Sequence, residues 1–219
     1  MEHAIYNGRD VAIKRLIETD SERLNKVFAK EASMLNRIDN DYIIKLLEVS
    51  PNPMSIMLEY AIFSFEPFKL KDLKANSLGK LLEIVNTHNF SSKLKLQNKI
   101  AHDITSAIRF LHSNNIVHRD IKPKNILVSN QHYINLSGDE LAMAFQTCPI
   151  KCKIGDLGES RATFAQTYRM QLTKTSFVKR GTAPFMAPEI QVQKYLLSEA
   201  RIDDPKKIDI WALILQKKR

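Results

Sequence analysis

Residues 116–128 read IVHRDIKPKNILV, and the interpretation of the whole sequence starts from this stretch. Apolar residues stand at both ends, with a charged segment that contains a proline between them. The last part, residues 125–128, is a short apolar run and predicts a strand. Taken alone, His118-Arg119-Asp120 is also compatible with a surface turn that a local ion pair holds.

Other short motifs lie around this stretch in a definite order. They are VAIK at 11–14, Glu31 in a helical pattern, DLG at 156–158, GTAPFMAPE at 181–189 and DIW at 209–211. Each has an ordinary structural explanation: an edge strand with a solvated lysine, an exposed helix carboxylate, a tight turn that uses glycine, a helix start with proline in its first turn. Their joint occurrence in one order, with compatible gaps, argues against coincidence.

Hydrophobic periodicity predicts the secondary structure between the motifs. Helical spacing covers residues 20–38 and 93–114, and a further helix begins at 208. Strand patterns cover residues 11–14, 42–49, 55–60, 125–128 and 151–154. Residues 63–68 include Pro67 and are predicted to be a linker, and the polar stretch 129–150 is predicted to be an insertion loop.

The ordered motifs resemble the signature set of eukaryotic protein kinases, and the resemblance covers residues 6–214. It implies an α+β fold with a small β-rich N-lobe that contains one helix, and a mainly helical C-lobe. Residues 1–61 would form the N-lobe and hinge, and residues 62–219 the C-lobe with its insertion at 129–150. It also implies ATP as phosphate donor, Mg²⁺ as cofactor and a protein as substrate.

Both ends depart from the family pattern. The sequence begins after the position of the glycine-rich loop, and it stops inside the helix that contains Asp209, before the last helices of the family. We therefore expect partial lobes, an exposed sheet edge and an isolated chain that is marginally stable and weak or inactive. This leaves a second hypothesis, a catalytically impaired kinase-fold fragment that acts as a protein-binding scaffold.

The resemblance assigns residues to the phosphates and the metal. Phosphoryl transfer depends mainly on positioning and charge neutralisation. Lys14 would contact the α- and β-phosphates, and Glu31 would orient Lys14; Glu22 is a weaker candidate for that partner. Asn125 and Asp156 would be the two Mg²⁺ ligands, both hard oxygen donors. A leucine follows Asp156 where the family most often has phenylalanine.

The resemblance also assigns the groups that act on the substrate hydroxyl. Asp120 would orient the hydroxyl and accept its proton, and Lys122 would neutralise charge on the transferred phosphate. Asp209 matches the buried aspartate that holds the backbone of the catalytic loop. The set Lys14, Asp120, Asn125 and Asp156 is complete, which argues against a pseudokinase.

The adenine site follows from the same resemblance. Ala12 and Leu127 match the apolar pair that sandwiches the adenine ring. Leu58 would be the gatekeeper, and the hinge, residues 59–61, would meet adenine through the backbone of Glu59, Tyr60 and Ala61.

Lys122 and Thr182 resemble serine/threonine kinases, and the overall style is similar to the tyrosine-kinase-like group, with dual specificity left open. Arg119 beside Asp120 suggests control by an activating kinase that acts on the 157–180 loop. Its candidate targets are Thr163, Thr167, Thr173, Thr175 and Ser176.

Composition and charge argue against several other classes of protein. The net charge of +9 is scattered over the chain without an aromatic-interleaved basic stripe, so we expect no nucleic-acid partner. No apolar run is long enough for a membrane span. Two cysteines are too few for a disulfide framework, and they lack the further ligands of a zinc site. This indicates free thiols and an intracellular, cytoplasmic protein.

Overall fold

The N-terminal strands form a four-stranded antiparallel sheet in the order β1-β2-β4-β3. Its strands are β1 (Glu2–Tyr6), β2 (Arg9–Arg15), β3 (Leu46–Pro51) and β4 (Met54–Glu59). Side chains alternate between the two faces of a strand, and Ile56 and Leu58 of β4 are accordingly buried.

The structure is a computed structural model. It describes residues 1–16, 22–88, 93–162, 182–188 and 206–216.

The strand predicted at 42–49 begins later than its sequence pattern indicates. Ile43 and Ile44 precede β3 and are buried, but their backbone pairs elsewhere. The amide of Ile44 donates to the carbonyl of Ile154 at 2.9 Å, and Ile43 forms a parallel bridge with the same residue. The start of this apolar run therefore pairs with Ile154, and only its later part forms β3, which pairs with β4. A strand pattern in the sequence does not distinguish these two partners.

Five helices lie in the described part of the chain. They are α1 (Glu22–Leu35), α2 (Leu78–Thr87), α3 (Lys93–Ser113), α4 (Gly138–Thr147) and α5 (Lys207–Gln216). The predicted helix at 93–114 is confirmed, and its apolar stripe is buried at Leu96, Ile100, Ile104, Ala107, Ile108 and Leu111. Helix α1 ends three residues before its predicted limit, in a turn where Ile38 N donates to Leu35 O at 3.1 Å.

Four short strands form two separate pairs. Strand β7 (Ile116–Val117) pairs with β10 (Arg161–Ala162), and β8 (Ile126–Ser129) pairs with β9 (Lys151–Ile154), both antiparallel. The strands predicted at 125–128 and 151–154 are therefore confirmed. The mixture of sheet and helices confirms the expected α+β class.

The predicted linker at 63–68 is wrong. Strand β5 (Phe63–Ser64) pairs with β6 (Lys74–Ala75), and a 3₁₀ turn covers Glu66–Phe68. Proline at the start of a helical turn is tolerated because its missing N–H has no helical partner there. Phe63 and Phe65 are fully buried, so apolar burial outweighs the linker-like composition.

The prediction of a loop throughout 129–150 is also wrong, because helix α4 lies within it. Ser137 precedes the helix, and Asp139 and Glu140 occupy its first turn, where the helix dipole stabilises negatively charged side chains. The ring of Phe145 packs edge-on against Phe68, with 5.2 Å between ring centroids. Its partner lies far away in sequence, so local periodicity could not reveal this contact.

The chain divides into two compact units. Unit 1 contains Met1–Ala107 and Lys124–Gly158, and unit 2 contains Ile108–Pro123 and Glu159–Arg219. The lobe boundary predicted after residue 61 is a different division and stays a prediction.

Within unit 1, the buried carboxylate of Asp103 joins α3 to β9. Lys99 Nζ donates to Asp103 Oδ1 at 2.5 Å, and the Cys152 amide donates to Oδ2 at 3.0 Å. His102 Nδ1 lies 3.2 Å from Oδ1. Burial of a charge is tolerated when hydrogen-bond donors surround it, so Asp103 fixes the start of the strand that leads to Asp156.

We expect Asp103→Ala to lower the free energy of unfolding by about 2–3 kcal/mol, because the buried Cys152 amide loses its acceptor and Lys99 its partner. Urea denaturation followed by circular dichroism measures the change. Thr105→Ala, on the exposed face of the same helix, is the control and should stay within about 0.5 kcal/mol of the unsubstituted chain. Equal effects of the two substitutions would contradict this role.

Candidate active site

Lys14 lies between two carboxylates of unit 1. Its Nζ donates to Glu31 Oε2 at 2.7 Å and to Asp156 Oδ1 at 3.2 Å. Strand β2 presents the lysine, and helix α1 presents Glu31, whose side chain is only 3% exposed. Asp156 is 47% exposed, so this cation is held on one side by a buried anion and on the other by an accessible one.

The two carboxylates determine the charge state of Lys14. Burial is the largest single influence on its pKa and acts to lower it. The attraction of Glu31 and Asp156, together with the hydrogen bonds to both, outweighs burial and raises the pKa above the ordinary 10.5. Because the folded pKa is the higher one, this contribution to stability is fully present below pH 10.5 and is lost as pH rises through the folded pKa.

The β8–β9 pairing places Asn125 beside Gly155, the residue before Asp156. Asn125 directly precedes β8, Asp156 follows β9 by two residues, and Ile126 pairs with Ile154. The Gly155 amide donates to Asn125 O at 2.9 Å, so the two chain segments remain in contact beyond the strands. Asp156 has φ 59°, a left-handed conformation that is uncommon outside glycine. The structure therefore brings the two predicted metal ligands onto adjoining segments.

A cleft in unit 1 is lined by all the residues that the sequence assigned to adenine. They are Ala12, Leu58, Glu59, Tyr60, Ala61 and Leu127. The cleft also has lining residues that the sequence did not indicate, namely Met1, Glu2, His3, Ile44 and Asn76.

The rim and the hinge of this cleft have their own supports. The rings of His3 and Tyr60 lie 4.4 Å apart between centroids. Glu59 Oε1 accepts from Lys153 Nζ at 2.5 Å and from the Lys45 amide at 2.8 Å. The Glu59 side chain is thus engaged with Lys153 of the neighbouring strand and with the Lys45 amide, and the Glu59 amide itself donates to Lys45 O at 3.0 Å.

In unit 2, Asp120 belongs to a network of three side chains. Lys122 Nζ donates to Asp120 Oδ2 at 2.6 Å and to Thr182 Oγ1 at 2.8 Å. The Thr182 hydroxyl donates to Asp120 Oδ1 at 2.9 Å. The sequence used Thr182 only as an indicator of hydroxyl type, so its contact with Asp120 is new. The network orients both oxygens of a carboxylate that is almost fully buried.

The backbone before Asp120 is held by the buried carboxylate of Asp209 on α5. The amides of His118 and Arg119 donate to it at 2.9 and 2.8 Å, and His112 Nε2 lies 2.8 Å from Oδ2. Arg119 has φ 74°, a conformation that costs about 1–3 kcal/mol and persists only where the surrounding structure holds it. Asp209 supplies that restraint, as the resemblance implied.

The five threonine and serine targets proposed for an activating kinase, Thr163, Thr167, Thr173, Thr175 and Ser176, lie outside the described residues. The same holds for Glu189, the last residue of the 181–189 motif. Among the described residues, no helix combines the length and apolar character needed to cross a bilayer.

The fold and these groups are those of the protein kinase class. Residues 3–215 match the family model of the protein kinase domain, so the chain belongs to that family.

Curated relatives agree with this assignment. Rat cyclin-dependent kinase-like 2 is 33% identical over 132 residues, which cover 59% of this chain and 23% of that protein. The DNA damage response protein kinase DUN1 of Saccharomyces cerevisiae is 28% identical over 210 residues, which cover 94% of this chain and 36% of DUN1. The chain spans about a quarter to a third of the length of these two relatives.

A protein kinase domain implies ATP and, typically, Mg²⁺, and the donor set fits both. The cleft offers apolar side chains with adjacent backbone, and Lys14 offers a cation for phosphate. Mg²⁺ usually takes one or two protein oxygens and completes its shell with phosphates and waters. The described residues contain no cluster of three or more His, Cys, Asp or Glu side chains suited to a metal.

We expect Glu31→Gln to lower the pKa of Lys14, because burial then acts with less opposing attraction. The neutral amine, which reacts with acylating reagents, should therefore become more abundant at pH 9. Mass spectrometry of Lys14 acylation across a pH series measures this. Glu83→Gln, which removes an exposed carboxylate paired with Lys80, is the control. An unchanged pH profile in Glu31→Gln would show that Glu31 does not set this pKa.

Asp209→Ala should lower the free energy of unfolding by about 3 kcal/mol, because buried backbone donors lose their acceptor. Amide exchange at His118 and Arg119 should also accelerate, which distinguishes local release from global weakening. Denaturant titration and hydrogen–deuterium exchange provide the measurements. Asp39→Ala serves as the exposed-carboxylate control, since Asp39 is 95% exposed. Protection of both amides at the original level would be incompatible with the restraint.

Proposed function

We propose that this chain is a serine/threonine protein kinase that transfers the γ-phosphate of ATP to hydroxyl groups of protein substrates. The observation that carries the proposal is the network of Asp120, Lys122 and Thr182. A carboxylate held through both oxygens, beside a lysine ammonium, is suited to orient a hydroxyl and accept its proton.

The residues of this network have distinct roles in the proposal. Asp120 accepts the hydroxyl proton at a carboxylate oxygen. Thr182 and Lys122 limit rotation of that carboxylate. Lys122 also provides positive charge for the transferred phosphoryl group. Asp209 acts indirectly, by holding the backbone that presents Asp120. A correctly placed general base contributes about 10²–10⁴-fold to the rate.

Unit 1 carries the groups proposed for the nucleotide. Ala12 and Leu127 would contact the faces of the adenine ring, and the hinge backbone of Glu59 and Ala61 would contact its edge. Lys14 would bind phosphate oxygens, with Glu31 holding the ammonium in place.

Asn125 and Asp156 would hold Mg²⁺ through oxygen atoms. When bound, the ion supplies positive charge that stabilises the phosphate oxygens. The protein's own contribution there is to keep these two oxygen donors on adjoining segments, which the β8–β9 pairing does.

Several finer assignments belong to the same proposal. The hydroxyl of Thr182 beside Lys122 supports serine/threonine specificity, and the style of the hinge and of the 181–189 segment supports the tyrosine-kinase-like group. The proposal also includes the lobe division between residues 61 and 62 and control of the 157–180 loop by an activating kinase. It further includes a cytoplasmic location, which rests on the two free cysteines, Cys148 and Cys152.

We expect Asp120→Asn to lower phosphate transfer by about 10²–10⁴-fold, because the amide cannot accept the hydroxyl proton. The measurement is transfer of radiolabelled γ-phosphate to a basic protein substrate with Mg²⁺, followed by phosphoamino-acid analysis. Asp41→Asn, an exposed carboxylate, is the matched control and should leave transfer unchanged.

The outcomes separate the competing functions. Phosphoserine or phosphothreonine that disappears in Asp120→Asn supports the proposal, whereas phosphotyrosine would contradict the specificity. No transfer by the unsubstituted chain would favour the scaffold hypothesis, in which the fold binds proteins without catalysis.

A further inference from the structure

A buried asparagine joins two segments that the sequence analysis did not connect. Asn130 Oδ1 accepts from the Ser64 amide at 2.8 Å, and Asn130 Nδ2 donates to Ser64 O at 2.9 Å. The Asn130 amide donates to Ile62 O at 3.2 Å. Asn130 and Ser64 are both fully buried, so one side chain satisfies both backbone groups of a residue 66 positions away.

These bonds join the two stretches of chain that flank the candidate nucleotide cleft. Residues 62–64 directly follow Ala61, the last residue of the hinge. Asn130 directly follows β8, which carries Leu127. Ala61 and Leu127 both line the cleft, and Leu127 also bridges to Ser77 at the start of α2. The relative position of these two lining residues therefore depends on the contact between Asn130 and Ser64.

Aromatic residues adjoin this contact, since Phe63 and Phe65 flank Ser64 in the chain and the Tyr133 amide donates to Asn130 O at 3.1 Å. They form a chain of ring contacts with centroids 5.0–6.1 Å apart, here called the aromatic cluster: Phe63, Phe65, Phe68, Phe145 and Tyr133. Phe145 comes from α4, and the Tyr133 hydroxyl donates to Pro149 O at 2.7 Å. Hydrogen bonds in such water-poor surroundings are stronger than exposed ones, and their loss is costly.

We propose that Asn130 is a positioning residue of the nucleotide cleft, which fixes the hinge against the strand that carries Leu127. The inference rests on the proposed function, because it assumes that the cleft binds the nucleotide. It also gives the 129–150 segment a structural role, since Asn130 makes the connection and α4 contributes Phe145 to the cluster that adjoins it. A binding group acts well only when neighbouring residues hold it in place.

The test compares Asn130→Ala with two controls in the full chain. Ser64→Ala keeps every bond to Asn130, since those bonds use only the backbone of Ser64. Ile104→Val removes one buried methylene from α3, a helix that contributes no lining residue to the cleft, and so controls for general loss of stability. Asn130→Ser, which keeps the backbone bond to Ile62 and a small polar group, is the milder variant if Asn130→Ala does not fold.

Two readouts are needed. Hydrogen–deuterium exchange of residues 61–65, without nucleotide, should be about tenfold faster in Asn130→Ala. The Kd for N-methylanthraniloyl-ADP with Mg²⁺, measured by fluorescence, should rise about tenfold. Both controls should keep the Kd within about twofold of the unsubstituted chain.

Steady-state kinetics gives a third measurement. KM for ATP should rise while kcat changes little, because Asn130 belongs to unit 1 and the Asp120 network to unit 2.

The outcomes also distinguish this inference from the proposed function. Unchanged exchange, faster exchange with an unchanged Kd, or equal weakening of nucleotide binding in Ile104→Val would each overturn it. Nucleotide binding without phosphate transfer by the unsubstituted chain would overturn the proposed function alone. Absence of nucleotide binding by that chain would overturn both.

Discussion

The antiparallel pairing of β8 with β9 is the constraint on which unit 1 most depends. Its register sets Asn125 beside Gly155 at one end, and so places both proposed metal ligands. Along the pair, Leu127 faces the cleft and Lys153 reaches Glu59. A shift of one residue would turn each of these side chains to the opposite face, so the site and the register cannot change independently.

Buried carboxylates provide the second common constraint, because they hold backbone or cations where the chain would otherwise be loose. Asp103 anchors the start of β9, Glu31 holds Lys14, and Asp209 restrains the backbone before Asp120. Each accepts hydrogen bonds from specific donors, which offsets the cost of burying a charge. Within each unit, the local geometry is thus maintained by residues that need not touch a substrate.

The sequence predicted helices and strands well where all the apolar residues of a segment pack against the same neighbour. The helix at 93–114 and the strands at 125–128 and 151–154 were confirmed because their apolar residues pack on a single face. The predictions failed at 63–68 and at α4, where burial depends on contacts between segments far apart in the chain. Phe68 and Phe145 are separated by 77 positions in sequence, and no local signal links them.

By itself, the sequence determined the family, because its motifs match those of protein kinases both in residue type and in their order along the chain. It also indicated Lys14, Glu31, Asn125, Asp156 and Asp120 as candidate functional residues. Only the tertiary structure decided which atoms meet: that Thr182 bonds Asp120, and that Asn130 bonds the backbone of Ser64. Hydrogen bonds depend on direction and on distances that vary by only a few tenths of an ångström, and a one-dimensional pattern does not contain that information.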